Sequence, residues 1–199
     1  MNLDEVSISA WFYKSAKDTT NADSILSALK WDTTVQLQEG FELRFLPTAP
    51  DAIEFVLVTQ NISGTKTSKI ARGSLSNSVG SWYHVAGVYN KTTGEQKLYV
   101  NGQAVNSQLH PVGNIVTPLA YYPDMRMGFS RVSNGYFNGV IDEVRLYKVA
   151  LSDNEVQDLY AQGVAPQIQA FAGTIIINNG NSFTNSVNVT LHLSAANTA

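Results

Sequence analysis

The chain has 199 residues, a net charge of −3 and only 15% charged side chains, enough length for one medium domain and part of another. It has no Lys/Arg-rich run, which argues against nucleic acid or an anionic membrane surface as partner. The absence of cysteine removes disulfides, zinc–thiolate sites and cysteine nucleophiles.

The first element follows directly from the N-terminus. "MNLDEVSISAWFY" has no basic leader and no long apolar run, so neither a signal peptide nor membrane insertion is read here, and residues 7–14 alternate as a strand. A start in mid-pattern is expected of a chain cut from a longer protein. Further strands are expected over 41–45 and 54–59, separated by "LPTAPDAIEF", where Pro47 and Pro50 disfavour pairing. The piece "QNISGTKTSKIARG", with Lys66, Lys69 and Arg72, reads as a charged, solvated edge rather than an anion site. Then "HVAGVYNKTTGEQKLYVNGQAV" predicts strands over 82–90 and 96–100 in two successive hairpins. They turn at 91–95 and at Asn101-Gly102, because a two-residue type I′ turn requires positive φ at both central positions. Strands over 125–130 and 136–147 follow, with Asn-Gly pairs at 134–135 and 138–139. Many short strands joined by Gly-rich turns point to an antiparallel sandwich or barrel.

One helix is marked after residue 151. Ser152 at the N-cap and Glu155 three residues later form a capping box, Leu151 and Val156 a hydrophobic staple, and Val156, Leu159 and Tyr160 an apolar stripe. Gly163 follows as the expected stop. Beyond it the composition changes, since residues 164–199 contain no Asp, Glu, Lys or Arg. An apolar run, a turn around Asn179-Gly180 and the alternation Val187, Val189, Leu191, Leu193 give two strands there. Two strands cannot bury their own faces, so this tail reads as the opening of a second β-domain.

"GVIDEVRLYKVALSDNEVQDLY" poses a specific problem. Strict alternation over 140–147 places Asp142 on one face with Val140, Val144 and Leu146. A carboxylate in an apolar layer is either satisfied by backbone N–H groups or bound to a cation such as calcium. Catalytic patterns are missing. Hydrolysis of a glycosidic bond needs two facing carboxylates, whereas Asp142 and Glu143 are adjacent and point to opposite faces. His84, His110 and His192 have no metal-like spacing, and neither a Gly-x-Ser-x-Gly elbow nor a phosphate loop occurs. Trp11, Trp82 and Tyr83 lie inside strand patterns and are expected in the core. Trp31, Tyr121, Tyr122 and Tyr136 lie in or beside turns, where aromatics either cover a core edge or stack on sugar rings. "LKWDTT" offers Trp31 with Asp32, and "LAYYPDMR" offers Tyr121 and Tyr122 with Asp124 and Arg126.

The stretches "VSISAWFYK", "SWYHVAGVYNKTTGEQKLYVNGQAV", "MRMGFS" and "YFNGVIDEVRLYKVALSDNEVQDLY" together resemble a laminin G-like domain of the concanavalin A-like lectin/glucanase superfamily, over nearly all of 1–163. The resemblance implies an all-β fold, an antiparallel β-sandwich (concanavalin A-like jelly roll) with one short C-terminal helix, and a further strand before Leu3 that this chain lacks. It implies a non-catalytic binding or adhesion module of a larger exported bacterial protein, working at the cell surface beside neighbouring modules, with a glycan or cell-surface ligand. An architectural spacer, or an accessory module of a polysaccharide-degrading enzyme, are the other roles it allows. Trp31, Asp32, Tyr121, Tyr122, Asp124 and Arg126 are then the candidate ligand contacts, and Asp142 a ligand to one structural calcium ion. The tail, 164–199, resembles the first strands of a bacterial immunoglobulin-like module.

Overall fold

A computed structural model describes residues 3–16, 22–32, 37–46, 51–76, 79–117, 125–130, 134–163, 175–177 and 191–193. The chain divides into two compact units, Met1–Gly163 and Val164–Ala199.

In the first unit the alternating segment VSISAWFYK forms β1 (Val6–Lys14), which sends Ile8, Ala10 and Phe12 to one side and Ser7, Ser9, Trp11 and Tyr13 to the other. It is flanked by β8 (Trp82–Asn90) and β13 (Gly139–Tyr147), and the layer continues through β9 (Glu95–Val100) to β10 (Gln103–Leu109). This first sheet is antiparallel in the order β10-β9-β8-β1-β13. The second sheet contains β2 (Asp23–Ser27), β5 (Phe41–Leu46), β6 (Ala52–Gln60), β7 (Lys66–Ser74), β11 (Ile115–Val116) and β12 (Arg126–Met127). Its order is β11-β6-β5-β2-β12, and β7 also pairs with β6. Between β2 and β5 a small ribbon, β3 (Lys30–Asp32) with β4 (Leu37–Glu39), stands apart from both sheets. The fold is therefore an antiparallel jelly-roll sandwich with a single short helix among the described residues.

The core lies between the sheets. Ile8, Phe12, Val85, Tyr89 and Leu98 meet Phe41, Leu43, Phe45, Ile53, Phe55 and Leu57. Between the sheets the Phe55 ring lies on Gly87. A Cβ added at Gly87 would stand 2.5 Å from the ring, so only glycine fits there without a shift. The hairpin turns follow the expected chemistry, with Asn101 at φ 49° and Gly102 at φ 76°.

The helix α1 (Asp153–Gly163) is capped as its sequence requires. The Glu155 amide donates to Ser152 Oγ (3.3 Å) and the Ser152 amide donates to Glu155 Oε2 (2.8 Å). Val156 is buried against Ala86, Val88 and Tyr99 on the outer face of the first sheet, with Leu151 beside it. Ser7 ties the approach to this helix, as its Oγ donates to the Val149 carbonyl (2.7 Å) and accepts from the Leu151 amide (2.9 Å). Gly163 does not adopt a left-handed φ. Its role is closeness, since a Cβ there would collide with Trp11 Nε1.

Several expectations are corrected. The strand expected over 125–130 contracts to Arg126–Met127, and the one over 136–147 begins at Gly139. Trp82 is not in the core; it lies on the outer face, 46% exposed, while Trp11 stacks under α1 and Tyr83 packs against the core. Asp142 is not in the apolar layer. On β13 two residues, Glu143 and Val144, lie between Asp142 and Arg145 where β1 has only Ala10 between Trp11 and Ser9, a bulge whose extra residue, Glu143, has φ 51°. The bulge reverses the parity. Val144 and Leu146 face the core on one side of it, Ile141 does so on the other, and Asp142 emerges exposed.

In the second unit β14 (Ile175–Ile177) pairs antiparallel with β15 (Leu191–Leu193), placing Ile176 opposite His192.

Candidate functional site

Three groups of side chains have the composition of a site, and each is positioned by a different element. The first is at the end of the second sheet. Arg126 on β12 sits opposite Ser27 of β2, and the chain then turns through Gly128 (φ 71°) to bring Phe129 against Tyr136. Their ring centroids are 4.7 Å apart, and the Arg126 guanidinium lies 5.3 Å from the Phe129 centroid. The backbone is held by Ser130 N to the Gly135 carbonyl (3.0 Å) and Phe137 N to the Gly128 carbonyl (2.9 Å). Tyr136 is 71% exposed and Arg126 is exposed.

Of the other residues picked from the sequence, Trp31 and Asp32 have their backbones in β3, opposite Gln38 and Leu37, and their side chains lie outside the described residues. Tyr121, Tyr122 and Asp124 also lie outside them. The structure therefore places Arg126 beside Phe129, whose ring in turn meets Tyr136. Sequence reasoning had set Tyr136 beside a turn but had no signal pairing it with Phe129, which lies in an expected strand.

The second group covers the outer face of the second sheet. Glu42 on β5 and Glu54 on β6 are fully buried carboxylates joined by Arg44, whose Nη1 lies 3.2 Å from Glu42 Oε2 and whose Nε donates to Glu54 Oε2 (2.8 Å). Arg72 on β7 donates through Nε to Glu54 Oε1 (2.6 Å). Both oxygens of Glu54 are thus taken by guanidinium groups, leaving neither free to meet a substrate. The sequence does not show this pair, because its members lie on neighbouring strands.

The third group is internal. His110 bridges the layers. Asn114 Nδ2 donates to Thr59 Oγ1 (3.1 Å), Thr59 Oγ1 to His110 Nδ1 (2.9 Å), His110 Nε2 to Gln96 Oε1 (2.7 Å), and Gln96 Nε2 to the Phe55 carbonyl (2.7 Å). Because the Gln96 amide spends its N–H on a carbonyl, its oxygen must accept, which fixes the proton on His110 Nε2. Burial, with Lys69 nearby, pulls the His110 pKa down to about 4. His84, beside the Trp11 and Tyr160 rings at 5.4 and 6.0 Å, is also lowered to about 4, by burial and then by Arg145. These histidines are structural, neutral and enclosed.

Asp142 accepts from the Glu143 amide at Oδ1 (2.8 Å). Among the described residues no set of three His, Cys, Asp or Glu side chains could hold a metal ion. Nor is any helix among them long and apolar enough to cross a membrane.

A family model of laminin G type, Laminin_G_3 of the concanavalin A-like lectin/glucanases superfamily, matches residues 1–157. The chain belongs to this superfamily. Among curated proteins, mouse pappalysin-1 is 34% identical over 86 residues, 43% of this chain and about 5% of that protein's length. Among solved structures, a putative carbohydrate binding protein from Bacteroides ovatus superposes with TM-score 0.58 at 18% identity, covering 79% of this chain and 41% of that one. The CBM40 domain of Ruminococcus gnavus IT-sialidase superposes with TM-score 0.59 at 16% identity, covering 79% and 83%. At these identities the superpositions establish the jelly roll itself.

Proposed function

We propose that residues 1–163 form a non-catalytic carbohydrate-binding module of a larger exported protein, working outside the cell next to further modules, the tail opening one of immunoglobulin-like type. The observation that carries this reading is the exposed Tyr136 ring, braced by Phe129, on which the Arg126 guanidinium also lies. Sugar rings present C–H faces that stack on aromatics, and their hydroxyls accept from a fixed cation. The superfamily and the carbohydrate-binding neighbours support it.

The test is a glycan array followed by calorimetry on each ligand found. Tyr136→Ala and Arg126→Ala should each weaken binding about tenfold, near the 1.4 kcal/mol of one lost stacking or charge-assisted contact, with melting unchanged. Tyr136→Phe should bind nearly as the parent. Binding to no glycan, or equal binding by Tyr136→Ala, overturns the proposal and leaves a spacer role.

A further inference from the structure

Helix α1 covers only part of the outer face of the first sheet. Below it lie Val88, Ala86 and Tyr99, then the row Trp11–His84, with Tyr160 stacked on Trp11 at 5.6 Å. The next row is partly exposed. Tyr13 of β1 stands opposite Trp82 of β8 and Val140 of β13, so three side chains cross three neighbouring strands in register. Trp82 and Val140 are 46% and 50% exposed, and Tyr13 is half-buried. Strand spacing makes the row about 10 Å long, the length of a disaccharide. The Tyr13 and Trp82 centroids are 5.8 Å apart with planes at 50°, a twisted two-step platform.

The β13 bulge supplies the polar element. By reversing parity at Glu143 it lifts Asp142 out of the core and sets it opposite Trp11, one step along the outer face from Val140. A bulge that re-aims one side chain, with a non-glycine residue at positive φ, is a costly local arrangement of the kind found beside functional surfaces. An aromatic pair beside an exposed carboxylate matches a sugar, with C–H faces on the rings and hydroxyls donating to Asp142.

We infer that Tyr13, Trp82, Val140 and Asp142 form a second glycan-binding surface, taking a neutral chain whose successive rings are rotated about their linkage. The inference rests on the proposed carbohydrate-binding role but uses a different face from the Tyr136 cluster. The size of the row decides against a protein occupant. Stable protein interfaces bury on the order of 1,200 Å² or more, and three side chains fall far short.

The experiment uses the whole chain with maltohexaose, cellohexaose, mannohexaose and chitohexaose as probes, followed by calorimetry and tryptophan fluorescence. At least one should bind with a change in fluorescence. Trp82→Ala should weaken it about tenfold, Asp142→Asn should weaken it less, and Trp82→Phe should retain it. The surface is exposed, so these variants should melt as the parent does. Parent-like affinity in Trp82→Ala, with binding lost in Tyr136→Ala, overturns this inference and leaves the rim reading standing. The converse result supports this surface and removes the rim. No binding by any probe overturns this surface, while ligands of other chemistry on the array keep the rim reading alive. A parent that dimerises in sedimentation, with Trp82→Ala monomeric, also overturns it, because a second copy would then be the occupant.

Discussion

Glu143 sits at φ 51°, where an L side chain with a Cβ pays roughly 1–2 kcal/mol. Its carboxylate is exposed and pairs with Arg145. Exposed ion pairs contribute about 0–1 kcal/mol, so the backbone term outweighs the side-chain term. Glu143→Gly should therefore raise stability by about 0.5–1 kcal/mol, read as a higher denaturation midpoint. A clear loss of stability would show that the residue is not strained. The same residue explains a misreading. Alternation is a two-residue rule, and one inserted position inverts everything beyond it. Nothing in "VIDEVRLY" announces the insertion, because Glu is not the glycine that usually marks such a site.

Among the elements, β1 and β2 are joined at the end of the sandwich by a fully buried ion pair, Lys14 with Asp23. The Lys14 ammonium also lies 5.2 Å from the Phe45 centroid and 4.7 Å from that of Phe137. Removing one partner strands the other charge in the core. Lys14→Met should cost about 3–5 kcal/mol by urea denaturation, and the double variant Lys14→Met/Asp23→Asn should recover most of it. A double variant as unstable as the single one would show that packing, not charge, is what was lost. Sequence inspection did not find β2 or this pair. Asp23–Ser27 is buried along its whole length, so it has no alternation to read, and a lysine next to Tyr13 looks like a surface residue. The elements with local chemistry were legible: the Asn101-Gly102 turn, the Ser152–Glu155 box, and the strands β1, β8 and β9. So was the sandwich as a class. The candidate site was less so, because aromatic contacts such as Phe129–Tyr136 and Tyr13–Trp82 depend on register between distant segments.

For the molecule as a whole, stability is tied to pH by two histidines in different layers, His110 between the sheets and His84 beneath α1. Both have pKa values near 4 when folded, against an ordinary value of 6.5. The unfolded chain therefore binds more protons than the folded one between these values, and stability falls as pH drops through that window. Each contributes at most on the order of 3 kcal/mol of loss, complete near pH 4. Urea melts at pH 7.5, 6, 5 and 4 should show a steep decline, and His84→Phe should flatten part of it. A flat profile in the parent would show that neither ring is held neutral.

The contact of Phe55 with Gly87 has a kinetic meaning as well. Where a ring rests on bare backbone, the two layers must separate before solvent reaches that strand, and no local fraying of an edge exposes it. The amide hydrogens of central β8 should then exchange only when the whole sandwich opens, making Gly87 the clock by which global opening is timed.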